Sequence, residues 1–316
     1  MLALDILAFA AACLVMLLSG SIIVRMLEII TSFLRMTEFV VGFILIGIST
    51  SLPELFVGIN SAIAKNPALT LGNVIGANIL DLTLVIGIIV VFARGLRYEH
   101  KAVSHDSWIM LTCAALPLVL MEIGNKISRI DGAILLFVFS FYIYRLLQKR
   151  KPFTKELEDR MSRTKVVLSM TALVFAIVIL IVSSNFVVKY GSKLAIEMLL
   201  PPIFIGIFFV SLGTTLPELV TGLMSVKQHH PEFAAGDIVG SVITNSLLVL
   251  GTTAVIYPIT ANIFLFLTSA AYMLLVCFLF VTFIESGKRL IWQEGVAMIL
   301  LYVFFLVVEL SLKGFF

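Results

Sequence analysis

The sequence holds little that would suit water. Of its 316 residues only 13% are charged, against 60% apolar, and the mean hydropathy is +1.13. A soluble domain is about half apolar and a quarter charged, so a soluble enzyme and a nucleic-acid binder are excluded. Cysteines are few: Cys13, Cys113 and Cys277 lie far apart in apolar runs. No disulfide scaffold follows from them, and each reads as a small buried hydrophobe. All four histidines (His100, His105, His229, His230) fall in connections. Neither a Ser–His pair nor a His/Cys cluster therefore lies at membrane depth, which argues against an intramembrane hydrolase and a soft-metal site. The amino-terminal segment carries Asp5 instead of basic residues and lacks a convincing cleavage region, so it reads as a permanent span.

What is present is a succession of apolar runs, each about the 20 residues that a bilayer-spanning helix needs. Ten are expected: Ala3–Val24 (extending as a tilted helix toward Phe33), Val40–Ala64, Leu69–Phe92, Trp108–Met121, Gly132–Leu147, Val166–Val188, Ile203–Val226, Phe233–Tyr257, Ile263–Ile284 and Trp292–Leu312. Spans 2 and 7 carry Pro53 and Pro217 in mid-run, where a helix interior tolerates proline poorly, so both are expected to be broken at membrane depth. Lys and Arg set the sidedness: connections on one face hold 16 of the 22. Such excess stays cytoplasmic. Both termini are thus expected outside and the 148–165 linker inside. That linker mixes basic residues with Glu156, Glu158 and Asp159 and reads as a solvated connection.

The chain repeats itself. A shift of 164 residues lays Gly47-Ile-Ser-Thr-Ser-Leu-Pro-Glu54 over Ser211-Leu-Gly-Thr-Thr-Leu-Pro-Glu218. The same shift, without a gap, lays Gly72-Asn-Val-Ile-Gly-Ala-Asn-Ile-Leu-Asp81 over Gly236-Asp-Ile-Val-Gly-Ser-Val-Ile-Thr-Asn245. Greasy helices resemble one another by chance, but not with a Thr, Pro and Glu in one register. Five spans separate corresponding elements. Because five is odd, the copies cross the membrane in opposite directions, as in the inverted repeats of secondary transporters. The expected domains are a first five-helix repeat at 1–147, a linker at 148–165 and a second repeat at 166–316. Their duplicated motifs occupy about 40–87 and 204–251.

Glu54 and Glu218 lie inside apolar spans with no basic partner nearby. A carboxylate in hydrocarbon costs at least ~3 kcal/mol, so positive charge must reach them from outside. Thr50, Ser51, Thr214 and Thr215 precede them by three or four residues, one helical turn away on the same face. Each following proline frees a backbone carbonyl. Asp81 and Asn245, aligned to each other, add polar groups from spans 3 and 8, with Asn78 and Ser241 nearby. Glycines 72, 76, 236 and 240 have small-xxx-small spacing and are expected to let those spans approach spans 2 and 7 closely. Glu, Thr/Ser and carbonyl oxygens together suit a hard cation or a proton. Glu309 in span 10 is near a helix end and is expected to reach the interface.

Gly47-x-Ser-Thr-Ser-x-Pro-Glu54 with Gly72-Asn-x-x-Gly76, repeated as Gly213-Thr-Thr-x-Pro-Glu218 with Gly236-Asp-x-x-Gly240, resembles the two alpha-repeats of the cation/calcium antiporter superfamily. Its prokaryotic sodium/calcium exchangers are the nearest in pattern. The resemblance implies an all-helical, ten-span exchanger with four central cation sites. Glu54 and Glu218 would be paired calcium ligands, with Thr50 and Thr214 giving backbone oxygens. Ser241, Thr214, Glu218 and the Ser211 carbonyl would form an outward-side sodium site. The Gly47 carbonyl, Thr50, Glu54 and position 77 would form its mirror image. Two departures stand out: position 77 is Ala77 where serine is expected, and Asp81 with Asn245 reverses the amide-first order.

The implied function is exchange of Na⁺ for Ca²⁺ by alternating access, with the ions as cargo and no resident cofactor. A proton/calcium exchanger and a potassium-dependent exchanger of the same fold are the alternatives, and a passive channel a distant one. Three ionised acids, Glu54, Glu218 and Asp81, would give the centre a charge of −3. Three Na⁺, or one Ca²⁺ with one proton, would neutralise it. An empty centre would be costly to desolvate, which makes exchange obligatory. The expected partners are the bilayer and these ions, and the expected assembly is a monomer.

Overall fold

The computed structural model describes residues 2–33, 47–97, 100–148, 163–197, 202–227, 231–260, 263–287 and 289–312. The chain is helical throughout these, apart from one short strand pair. In chain order, α1 is Leu2–Phe33, α2 Gly47–Thr50, α3 Leu52–Ile63, α4 Pro67–Phe92, α5 His100–Gly124, α6 Arg129–Gln148 and α7 Arg163–Glu197. In the second half Pro202–Ile205, Gly206–Val210 and Ser211–Thr214 run on as one rod, α8. The next rod, α9, is Leu216–Lys227. Pro231–Thr244, Asn245–Val249 and Leu250–Ile256 form α10, followed by α11, Ile263–Ser286, and α12, Trp292–Leu312. Strand β1, Leu96–Arg97, pairs antiparallel with β2, Arg289–Leu290, tying the end of α4 to the start of α12. Among the described residues eight helices are long and apolar enough to cross a bilayer. Residues 40–46 of span 2 and most of the 148–165 linker lie outside the described residues, as do His229 and His230.

The duplication reaches the backbone. Gly47–Thr50 corresponds to Ser211–Thr214 and Leu52–Ile63 to Leu216–Lys227 at the same 164-residue shift. So do the wide π-helical turns Asp81–Val85 and Asn245–Val249 inside α4 and α10. A π turn lodges one extra residue in a helix, and such turns recur at functional sites. Here each begins on the aligned polar residue, Asp81 or Asn245.

Both expected breaks occur, and both are narrow. Ser51 (φ −80°, ψ 2°) separates α2 from α3, and Thr215 (φ −85°, ψ −2°) separates α8 from α9. Proline then sits in the first turn of the following helix, where its missing N–H does no harm. Pro117, by contrast, lies within α5 without ending it.

Burial sorts the helices. The apolar windows of α4 and α10 are each 83% buried, whereas those of α1 and α7 are 33% and 28% buried. The last two pack along each other at the edge and face lipid over most of their surface. Their inner sides join Val57, Leu69, Ile205 and Val210 in an apolar cluster separate from the main core. A side chain at Gly20 of α1 would meet both Pro217 and Pro53 at 3.3 and 3.5 Å, so α1 crosses directly over the two breaks. Asn60 of α3 donates to Ser184 of α7 at 2.8 Å, and Asn66 donates to Ser192 at 3.0 Å.

Close approach between the halves follows the small residues. A Cβ on Gly72 would lie 2.0 Å from the Ile203 carbonyl oxygen, and one on Gly76 would lie 2.3 Å from that of Ile207. Gly47 would meet the Cα of Gly240 at 3.3 Å. The leading piece of each broken span thus docks on the long helix of the opposite half. At Gly236 no described residue lies within 4 Å of a Cβ, and the position that mirrors Ile203 is outside the described residues. Glu309 departs from expectation. It is 1% exposed, and its Oε1 accepts from Ser269 of α11 at 2.5 Å, so it is held inside and not at the interface.

Candidate cation-binding site

The two breaks bring α2, α3, α8 and α9 together between α4 and α10, and the expected polar residues gather there. Thr50, Glu54, Asp81, Ser211, Thr214, Glu218, Ser241 and Asn245 are 0% exposed; Ser51 and Thr215 are 1% and 2%. Gly47 is buried as well. The centre is therefore sealed from both faces and faces neither lipid nor water.

Its hydrogen bonds cross from half to half. The Thr50 hydroxyl donates to Asp237 Oδ1 at 3.1 Å and lies 3.1 Å from the Ser241 hydroxyl. At the mirror-related position the Thr214 hydroxyl donates to Asn73 Oδ1 at 3.2 Å. Backbone oxygens also turn inward. The Gly47 carbonyl is 3.4 Å from Thr50 Oγ1, and the Ser211 carbonyl accepts from Thr214 at 3.2 Å and from Thr215 at 2.9 Å. Asn245 Nδ2 donates to Asn78 Oδ1 at 3.3 Å, and Asn78 Nδ2 donates to Ser246 at 3.1 Å, closing an amide cluster beside Asp81.

Against this background six oxygens stand out. Both carboxylate oxygens of Glu54, of Asp81 and of Glu218 are buried without a formed hydrogen bond, and Ser51 Oγ is unpartnered too. Nearly all buried polar groups in native proteins find a partner. Six buried acidic oxygens without a hydrogen bond are therefore a feature any account of this centre has to explain. Among the described residues no Lys or Arg pairs with these acids; the ion pairs found are those of Lys193 with Asp5 and Glu197. Nor do three acidic, His or Cys side chains converge on one point among the described residues. Carboxylates alone do not make the cage; hydroxyls and carbonyls have to complete it, which is the mixed oxygen shell hard cations take.

Two functional residues escaped the sequence reading. Asp237 and Asn73 had been seen only as part of the Gly-Asp and Gly-Asn motif. Yet Asp237 is 2% exposed, bonds Thr50 and accepts from Thr221 at 2.9 Å, while Asn73 bonds Thr214. The signal was available: the two align at the 164-residue shift, one turn from Ala77 and Ser241. Glu54, Asp81, Glu218 and Asp237 lie close enough to feel one another's charge. The count of three acids is corrected to four, and the full charge of the centre to −4. The three cysteines are free, with Cys113 and Cys277 buried as expected and Cys13 half-buried.

Known proteins share this plan. The sodium/calcium exchanger protein family matches residues 4–148 and 168–310, one stretch for each half. The chain is 27% identical to the sodium/calcium exchanger MaX1 of Methanosarcina acetivorans over 93% of its length and 95% of that relative. It is 25% identical to the inner membrane protein YrbG of Escherichia coli over 76% of each chain. The solved structure of the sodium-calcium exchanger NCX_Mj soaked with 10 mM Na⁺ superposes with a TM-score of 0.71, covering 97% of this chain and 99% of that one at 22% identity. With a family match over both halves and a shared fold, the chain belongs to the sodium/calcium exchanger protein family, as a multi-pass membrane antiporter and not an enzyme.

Proposed function

We propose that this antiporter exchanges Na⁺ for Ca²⁺ through the sealed centre between its two breaks. Glu54 and Glu218 ligate calcium, with oxygens from Thr50 and Thr214. Sodium ions use the same acids together with the Gly47 and Ser211 carbonyls, the Thr50 and Thr214 hydroxyls and Ser241. Asp81 and Asn245, with Ser51 and Thr215, supply the remaining polar surround. The single observation that carries this reading is the set of orphaned, fully buried carboxylate oxygens on Glu54, Glu218 and Asp81. A buried charge left without a partner costs several kcal/mol, roughly 3–5, so the empty centre does not cross the membrane and ions leave only in exchange.

The halves are 1–147 and 166–316, with 148–165 as a cytoplasmic linker and both termini extracytoplasmic. One chain holds the whole centre, which supports a monomer as the working unit. Access changes as α1 and α7 slide over the core. Both leave most of their surface exposed, with 33% and 28% of their apolar windows buried, and they rest on it through their own apolar cluster. A proton-coupled form has one specific observation in its favour, the missing hydroxyl at Ala77.

Calcium uptake into sealed vesicles against imposed sodium, proton or potassium gradients, one at a time, separates these readings. An opposing sodium gradient should drive uptake. Uptake indifferent to sodium and driven by protons would favour the proton form, and calcium movement with no counter-ion would indicate a channel.

A further inference from the structure

The two mirror-related flanks of the centre are chemically unequal. On one, Asp237, Thr50 and Ser241 meet, with Thr50 at 3.1 Å from both partners. At the three corresponding positions of the other stand Asn73, Thr214 and Ala77. There the acid is replaced by an amide and the serine hydroxyl by a methyl group. The amide also carries an N–H group that repels cations, and Asn73 Nδ2 is buried without an acceptor.

Asp237 is not consumed by its own hydrogen bonds. Each carboxylate oxygen can accept twice; Oδ1 takes the Thr50 hydroxyl and Oδ2 the Thr221 hydroxyl. One acceptor position on each oxygen is left, and among the described residues no Lys or Arg pairs with Asp237. Around it stand the hydroxyls of Thr50 and Ser241 and, within electrostatic reach, the orphaned oxygens of Asp81 and Glu218. With four acids, one Ca²⁺ leaves two negative charges and three Na⁺ leave one. The centre therefore holds room in charge for a further monovalent cation.

We propose that Asp237, with Thr50 and Ser241, makes this flank a charged subsite for an alkali metal cation, the tighter of the two flanking subsites. The proposal rests on the centre being a cation site. It assigns Asp237 as the residue that sets the affinity and choice of the monovalent ion. It also relocates the consequence of Ala77: by the 164-residue correspondence the missing hydroxyl belongs beside Thr214, whereas Thr50 keeps Ser241.

The test is calcium exchange in sealed vesicles over a range of sodium and, separately, potassium concentrations, with the purified Asp237→Asn protein. Asparagine preserves shape and an acceptor for one hydroxyl, as Asn73 already does for Thr214. Loss of the charge should raise the half-saturating alkali concentration relative to that of calcium by about tenfold or more. The exchanged variant Asn73→Asp/Asp237→Asn should regain tight alkali binding, with the dependence moved to the opposite face of the vesicle. Should Asp237→Asn fail to elute as a folded species, Ser241→Ala gives the same readout with a smaller shift in the same direction. Alkali half-saturation unchanged within about twofold in Asp237→Asn, or in Ser241→Ala where that is the one measured, overturns the proposal. Exchange lost in Glu54→Gln alongside that result leaves the antiport reading intact, whereas exchange retained in Glu54→Gln removes the reading itself.

Discussion

The two halves of this molecule share a backbone and differ in chemistry. Their breaks, their helix boundaries and their π turns coincide at one shift, yet Asp237 faces Asn73, Ser241 faces Ala77 and Asp81 faces Asn245 across the pseudo-symmetry. The coincidences lie where geometry is needed: proline at each break, and polar residues opening each π turn. The differences lie where ions would be told apart. Duplication supplied a symmetric scaffold for alternating access, and substitution made its two faces unequal.

The largest effect should be the one that treats the halves alike. Glu54→Gln and Glu218→Gln each remove a charge and a ligand from a fully buried centre, so each should abolish calcium flux. A loss of about 3 kcal/mol or more of calcium binding, over a hundredfold in affinity, is expected from either one. A large loss in one variant beside a small loss in the other would break the symmetry of the calcium site. Next comes packing, where the halves differ sharply. Gly72→Ala forces a methyl group to 2.0 Å from the Ile203 carbonyl and should destabilise the protein by about 1–3 kcal/mol. Its mirror, Gly236→Ala, meets no described residue within 4 Å and should leave stability level or raise it by up to about 1 kcal/mol through helix propensity. Thermal melting in detergent compares the pair directly.

Ala77→Ser restores the hydroxyl beside Thr214 and makes the two flanks more alike. It should tighten apparent sodium binding by about threefold to tenfold, the worth of one added polar ligand. An unchanged sodium half-saturation in vesicle flux counts against the placement of a flanking subsite there. Smallest is the tie of α7 to α3. Asn60→Ala should cost about 1 kcal/mol in melting, because Ser184 keeps its own bond to the Ile181 carbonyl.

Much of this plan could be read from the amino acids. Ten spans, two proline breaks and a 164-residue repeat all follow from local pattern; the structure keeps the breaks and the repeat, and among the described residues eight helices are long and apolar enough to span. Proline cannot continue a hydrogen-bond ladder, and an apolar run has few other uses. The centre was legible as far as its membrane-buried acids on apolar backgrounds, Glu54 and Glu218. Asp237 was not, because it follows a glycine near the start of span 8 and resembles a residue of the helix end. Only tertiary packing carries α2 of the first half onto α10 of the second, where Thr50 finds it. Glu309 was misjudged for a related reason: nearness to a helix end in sequence does not say whether a neighbouring helix, here α11 with Ser269, covers that end. Small-residue spacing permits a close approach without requiring one, and the described residues show that approach at Gly72 and Gly76.

The central claim is that Glu54 and Glu218, one from each half, complete a single calcium site. Calorimetric titration of calcium into the purified protein and its two single Gln variants tests it most directly. One bound calcium per chain in the unaltered protein, and none in either variant, is the expected result. Calcium binding that survives in either variant with unchanged affinity, or two independent sites each lost with only one of the acids, would contradict it.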